Sequence, residues 1–154
     1  MRRFPLAALT AAAALSLVPV HAQKPKIFAQ HLVEDEMAKH PDLLIIAFHV
    51  TAPGAKDNTI IASNIGRIGK KADEDDLRCI HTGKPNLEVN TAGDHFEVEM
   101  AFHDQKGNTL GALATVFAYK EGMDKEKLHT KGEEIRKEIE LQLPNHAKLF
   151  EQVK

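Results

Sequence analysis

Residues 95–119 read His95-Phe96-Glu97-Val98-Glu99-Met100-Ala101-Phe102-His103, then Asp104-Gln105-Lys106-Gly107-Asn108, then Thr109-Leu110-Gly111-Ala112-Leu113-Ala114-Thr115-Val116-Phe117-Ala118-Tyr119. The first nine alternate strictly. Phe96, Val98, Met100 and Phe102 fall on one side, and His95, Glu97, Glu99 and Ala101 on the other. That period of two, within residues 93–103, predicts a strand with a core face and a wetter face. The Asp104–Gly107 segment predicts a hairpin turn. Residues 109–119 then predict the return strand, where Gly111 marks a bend or a close approach.

Working outward, the same grammar organises the rest. The run Leu43-Leu44-Ile45-Ile46-Ala47-Phe48-His49-Val50-Thr51 lies between Pro41-Asp42 and Pro53-Gly54. It predicts a buried strand, paired as a hairpin with a second strand at 59–63. Residues 86–90 predict a short third strand. Residues 27–39 predict a helix that ends before Pro41, because a residue preceding proline disfavours the helical region. Asp73-Glu74-Asp75-Asp76 opens a short helix that Gly83 closes, with Asp73 as the cap. Residues 123–143 predict the longest helix. Leu128, Gly132, Ile135, Ile139 and Leu143 form its stripe, Asp124 caps it and Pro144 stops it. The tail, 146–154, predicts a loosely docked turn. The order is helix, two strands, loop with short helix, three strands, helix. This is an α+β layout with a five-stranded antiparallel sheet.

The N-terminus predicts something else. Residues 1–22 combine Arg2 and Arg3, an acid-free apolar run and a closing Val20-His21-Ala22. That is the layout of a secretory signal peptide cleaved after Ala22, with an uncleaved anchor as the minor alternative. The whole chain has 154 residues, 20 Lys plus Arg, 22 Asp plus Glu, 9 His and 1 Cys. Removing the leader takes away two arginines. The remaining 132 residues (23–154) form a single domain with net charge −4. Its core is expected at about 26–143. An acidic chain is a poor nucleic-acid binder. Cys79, alone, excludes an internal disulfide and reads as a buried thiol. The expected location is the periplasm, or the medium.

Three stretches carry a family resemblance. They are the 103–113 hairpin, the Ala62-Ser63-Asn64 and Arg67-Ile68-Gly69-Lys70 segments, and Thr82-Gly83-Lys84. In their order and spacing they resemble the extracytoplasmic PAS-like, or Cache, sensor domains over roughly 26–143. The resemblance implies a PAS-like sheet flanked by an N-terminal, a short middle and a long C-terminal helix. It also implies a pocket for a small polar metabolite, often a carboxylate or amine, between the sheet and the middle loop.

The residues themselves name candidates. Arg67 offers a planar fork for a carboxylate, with Asn64, Lys70 and Lys71 in the same Gly66/Gly69 loop. The competing reading pairs these cations with the acids at 73–76. His49, in the most apolar strand, reads as a pocket donor, a metal ligand, a pH-sensitive group or a hydrogen-bonded sheet histidine. Tyr119 ends the last strand and reads either as a hydrogen-bonding group at a pocket mouth or as an ordinary strand-end tyrosine. Glu97 and Glu99 share one face, which is either a solvated surface or a pair for acid–base work. His95 and His103 lie about 27 Å apart along an extended strand and cannot share a metal. No HxH, HExxH or CxxC spacing occurs. The expectation is a non-catalytic ligand-binding or sensory module without a cofactor, with His49, Asn64, Arg67, Lys70 and Tyr119 as its site. It would act through a membrane sensor or transporter, and its sheet invites a homodimer. The alternatives are a metal or haem carrier or small enzyme built on the histidines, and a protein–protein interaction module.

Overall fold

The computed structural model describes residues 26–153, so the expected signal peptide at 1–22 lies outside the described residues. The elements in chain order are β1 (Lys26–Ile27), α1 (Phe28–Lys39), β2 (Leu43–Thr51), β3 (Asn58–Ser63), α2 (Glu74–Thr82), β4 (Asn86–Val89), β5 (His95–His103), β6 (Thr109–Ala118), α3 (Lys125–Glu140), a 3₁₀ turn (His146–Phe150) and β7 (Gln152–Val153). Strands β2 to β6 form an antiparallel sheet in the order β3-β2-β6-β5-β4. Among the described residues no helix is long and apolar enough to cross a membrane.

Alternation divides the sheet into two unlike faces. Ile46, Phe48 and Val50 of β2, Phe96, Val98, Met100 and Phe102 of β5, and Leu113 and Phe117 of β6 join one buried core. Leu32 and Val33 of α1 and Leu128, Ile135 and Ile139 of α3 close over this face. Phe48 and Phe102 meet edge to face, with ring centroids 5.4 Å apart. Gly132 lets α3 lie against the sheet, because a Cβ there would stand 2.8 Å from Val98 Cγ1. The other face carries His49, Glu97, Glu99 and small residues such as Ala47 and Ala114, and α2 lies across it.

Gly111 is the closest approach within the sheet. A Cβ at this position would come within 2.1 Å of the His49 carbonyl oxygen. The glycine therefore sets how near β6 can run to the strand segment that presents His49. On its other side, β2 changes register against β3 between Phe48 and His49, leaving Ile61 as an extra residue. A bulge of this kind re-aims a side chain relative to the sheet.

The caps follow the sequence. Asp73 and Asp76 form a reciprocal capping box at α2, and Gly83 ends that helix in the left-handed region. Asp124 caps α3 through the Glu126 and Lys127 N–H groups. The tail departs from the expectation of a loose turn. Leu149 is fully buried in the main core, the Phe28 N–H donates to the Glu151 carbonyl, and β7 pairs with β1. The core thus extends past residue 143, because Leu149 packs into it beside α1. Leu149→Ala is expected to lower stability by about 2–4 kcal/mol in a denaturant titration; a loss under ~0.5 kcal/mol would show the tail to be loosely attached.

Candidate functional site

The face of the sheet turned away from the main core encloses a cavity of about 500 Å³. Ile45, Ala47, Ala114 and Val116 form its floor, α2 and the loop before it one wall, and β4 and β5 another. Small side chains at Ala47 and Ala114 leave the space open. The size lies within the range of small-molecule sites.

Its deep end is a buried polar cluster. His49, Asp76 and Glu99 are 7 %, 1 % and 4 % exposed. His49 Nδ1 lies 2.5 Å from Asp76 Oδ1. The other Asp76 oxygen, Oδ2, accepts the Asp73 N–H at 2.8 Å. Asp76 thus closes the first turn of α2 and faces the sheet at the same time. Burial alone would raise its pKa, but the His49 ring, the Glu99 carboxyl and the Asp73 N–H outweigh it and hold Asp76 below the usual carboxylate range. Glu99 moves the opposite way. Burial first, then its proton-sharing contact with ionised Asp76 and the charge of Glu97, push it up to about 10. Two carboxyls so placed do not both ionise, and here Glu99 keeps the proton. Burial, then Asp76 and Glu88, also raise Glu97.

Next to this cluster, Glu88 and Glu97 stand directly opposite one another across β4 and β5. Both line the cavity. Like charges directly opposite in a sheet are destabilising, and nothing in the strand pairing itself requires them. Arg67 and Lys70 line the cavity from the loop after β3. Arg67 has φ 62°, which is rare for a non-glycine residue. Hydrogen bonds hold this loop, from the Gly69 N–H to the Ile60 carbonyl and from the Ile60 N–H to the Lys70 carbonyl. Neither Arg67 nor Lys70 forms an ion pair among the described residues, while Lys71 pairs with Asp57 and Asp75 with Arg78. The expected pairing of these cations with the acids at 73–76 therefore does not form.

The structure brings together three of the five expected site residues, His49, Arg67 and Lys70. Asn64 lies elsewhere. Its amide accepts the Ile46 N–H and donates to the Leu44 carbonyl, pinning the loop to the start of β2. Tyr119 packs against Phe96 beneath the Lys125 ammonium, away from the cavity. Asp76 and Glu99 complete the site instead. Asp76 reads in the sequence as a first-turn acid, and its capping-box spacing from Asp73 points to the helix end and not to the sheet. Glu99 was marked by its alternation, but alternation does not say what covers a face. Cys79 lies on the sheet-facing side of α2 with its thiol toward the Glu99 carbonyl, and burial pushes it up to about 11, so it is not a thiolate near neutral pH.

No protein-family model matches the chain, and no curated protein matches its sequence. Solved structures match its fold. A putative GAF sensor protein from Burkholderia vietnamiensis superposes with a TM-score of 0.57 at 10 % identity, over 82 % of this chain and 81 % of that one. The repressor BlcR of Agrobacterium tumefaciens gives 0.44 at 15 % identity, over 79 % and 66 %. The first likeness is one of fold: an α+β domain with a five-stranded antiparallel sheet, shared with a GAF-type sensor.

The carboxyl pair sets a pH dependence. Native Glu99 keeps a proton that the unfolded chain releases near 4.5, so its contribution falls as pH rises from there toward 10. The contribution of Asp76 is present above 3.8 and is lost at lower pH. In the metal-free protein Glu99→Gln is expected to flatten the alkaline decline. By urea unfolding at pH 8 it should exceed the parent by ~2 kcal/mol, with little difference at pH 4.5. An equal pH slope in both proteins would place Glu99 among ordinary carboxylates.

Proposed function

We propose that this chain is a PAS-like, Cache-type sensory domain that binds a small polar metabolite without transforming it. The observation that carries this is the charge layout of the cavity. Glu88 and Glu97 face each other and Arg67 and Lys70 stand on the loop, and among the described residues none of the four forms an ion pair. A ligand with a cationic group at the glutamates and an anionic group at Arg67 and Lys70 answers both. The favoured class is therefore a zwitterion of modest size, such as an amino-acid-like molecule. This narrows the polar or anionic metabolite expected from the loop alone. The fold shared with a sensor protein and the absence of a thiolate at Cys79 support a binding role over catalysis.

The apolar, acid-free run at 6–20 behind Arg2 and Arg3 supports export to the periplasm or the medium, with cleavage after Ala22. A separate membrane sensor or transporter would then receive the signal or the ligand.

Arg67 gives the sharpest test, since its backbone conformation suits glycine better. Relief of a left-handed non-glycine residue contributes about 1 kcal/mol. Arg67→Gly is therefore expected to match or exceed the parent in melting temperature. In a thermal-shift screen of zwitterions, simple amines and simple carboxylates, the parent should respond most to zwitterions. Arg67→Gly and Glu97→Gln should each lose at least tenfold in affinity. If none of the three classes shifts the parent, the ligand-binding reading fails.

A further inference from the structure

The deep end of the cavity has a second chemical character that the metabolite reading does not use. His49, Asp76 and Glu99 each offer one donor atom, and these three atoms lie within 4.8 Å of one another. All three side chains are more than nine-tenths buried. His49 Nδ1 and Asp76 Oδ1 approach to 2.5 Å, yet neither has a hydrogen-bonding partner of proper geometry among the described residues. Two polar atoms that are close but misaligned for a hydrogen bond converge on a shared point in space. Burial without such a bond is costly for both groups.

We propose that His49, Asp76 and Glu99 form a binding site for one divalent transition-metal ion of the zinc type. The donor set selects the class. One imidazole with two carboxylates, Glu99 releasing its proton to solvent on binding, suits zinc and its first-row neighbours, whereas calcium takes six to eight oxygens and magnesium an octahedral oxygen shell. The separations suit the ion too. Bond lengths of about 2.0–2.2 Å place tetrahedral donors about 3.3 Å apart, so His49 and Asp76 open from 2.5 Å by less than an ångström and Glu99 closes in from a separation of at most 4.8 Å. Three protein ligands leave a fourth position, and the cavity lies on that side. That open position would take water or a polar group of a bound molecule. Cys79 supplies no ligand, since its thiol points to the Glu99 backbone carbonyl.

The supports around the ligands are in place. Asp76 is oriented by the Asp73 N–H through its other oxygen. Hydrogen bonding of this kind to a metal-bound carboxylate fixes its direction. His49 is fixed by the bulge beside it and by the close approach of Gly111.

A second cluster offers the internal comparison. Glu36, His40 and Glu138 also place donor atoms within 4.8 Å. There, however, the Lys39 ammonium bonds Glu36 at 2.8 Å and Glu138 at 3.4 Å. A cation already occupies that role, and Glu138 is 40 % exposed. It reads as an ion-pair network joining α1 to α3.

The test uses the full domain stripped with chelator, without any metabolite. Zinc is titrated in competition with a chromogenic chelator, and cobalt(II) is added separately to read the visible spectrum. The expected result is one zinc per chain and a cobalt spectrum of low-coordinate type. His49→Ala and Glu99→Gln should each weaken zinc at least tenfold, whereas His40→Ala should leave it unchanged. Circular dichroism melts of the stripped variants establish that they are folded, and His49→Gln serves if His49→Ala is not. Zinc binding no tighter in the parent than in His49→Gln, or loss confined to His40→Ala, would overturn the proposal. The metabolite screen repeated in chelator is a separate arm, so failure of the metal site and failure of the metabolite reading give different results.

Discussion

Everything distinctive about this domain depends on where the Asp76 carboxylate sits. One oxygen completes the first turn of α2 by accepting the Asp73 N–H, and the other meets His49 on the sheet. A single buried group therefore stands between a helix N-terminus and a strand. Were α2 to lose this contact and that of buried Cys79, little would hold it over β5 and β6. The polar face would then be solvent-exposed sheet rather than the floor of a cavity. The positive end of the helix dipole favours an ionised acid at this position, in agreement with the depressed pKa of Asp76.

The ionised Asp76 then dictates the state of its neighbours. Glu99 lies too close, and too deeply buried, to ionise beside it. The result is an asymmetric pair, one carboxylate and one carboxylic acid, at the closed end of a 500 Å³ space. Toward the opening, the acids Glu88 and Glu97 and the cations Arg67 and Lys70 are less constrained. The sheet thus does two jobs with one period of two. Its even residues in β5 build the apolar core with α1 and α3, and its odd residues carry the charged groups of the cavity.

Much of this was legible in the amino-acid order. Alternation within 93–103, the Asp104–Gly107 turn and the Asp73 and Asp124 caps place the strands and helices to within two residues, except the end of α3, which lies three residues before the expected 143. Gly111 announced a close approach, and the structure puts it against the His49 carbonyl. The loop cations were identified as candidates, and Arg67 and Lys70 do face the cavity. Three things were not legible, each for a physical reason. Asn64 in a glycine-containing loop suits ligand contact, but an amide beside an unpaired strand end is equally fit to satisfy that strand's backbone, and does so. Tyr119 follows the last residue of β6, yet the turn of the chain there sends its ring to Phe96 and Lys125. Asp76 and Glu99 meet through tertiary packing between segments 23 positions apart, and neither local propensity nor periodicity carries that information.

The central claim is that α2 seals a polar face of the sheet and makes an unequal carboxyl pair of Asp76 and Glu99. Side-chain carboxyl carbon-13 shifts of the metal-free protein, followed from pH 3 to pH 9, measure it residue by residue. The account predicts that Asp76 remains ionised down to the acid end and that Glu99 remains protonated through neutral pH. Titration of both groups in the ordinary range, near 3.8 and 4.5, would contradict it and return this face of the sheet to solvent.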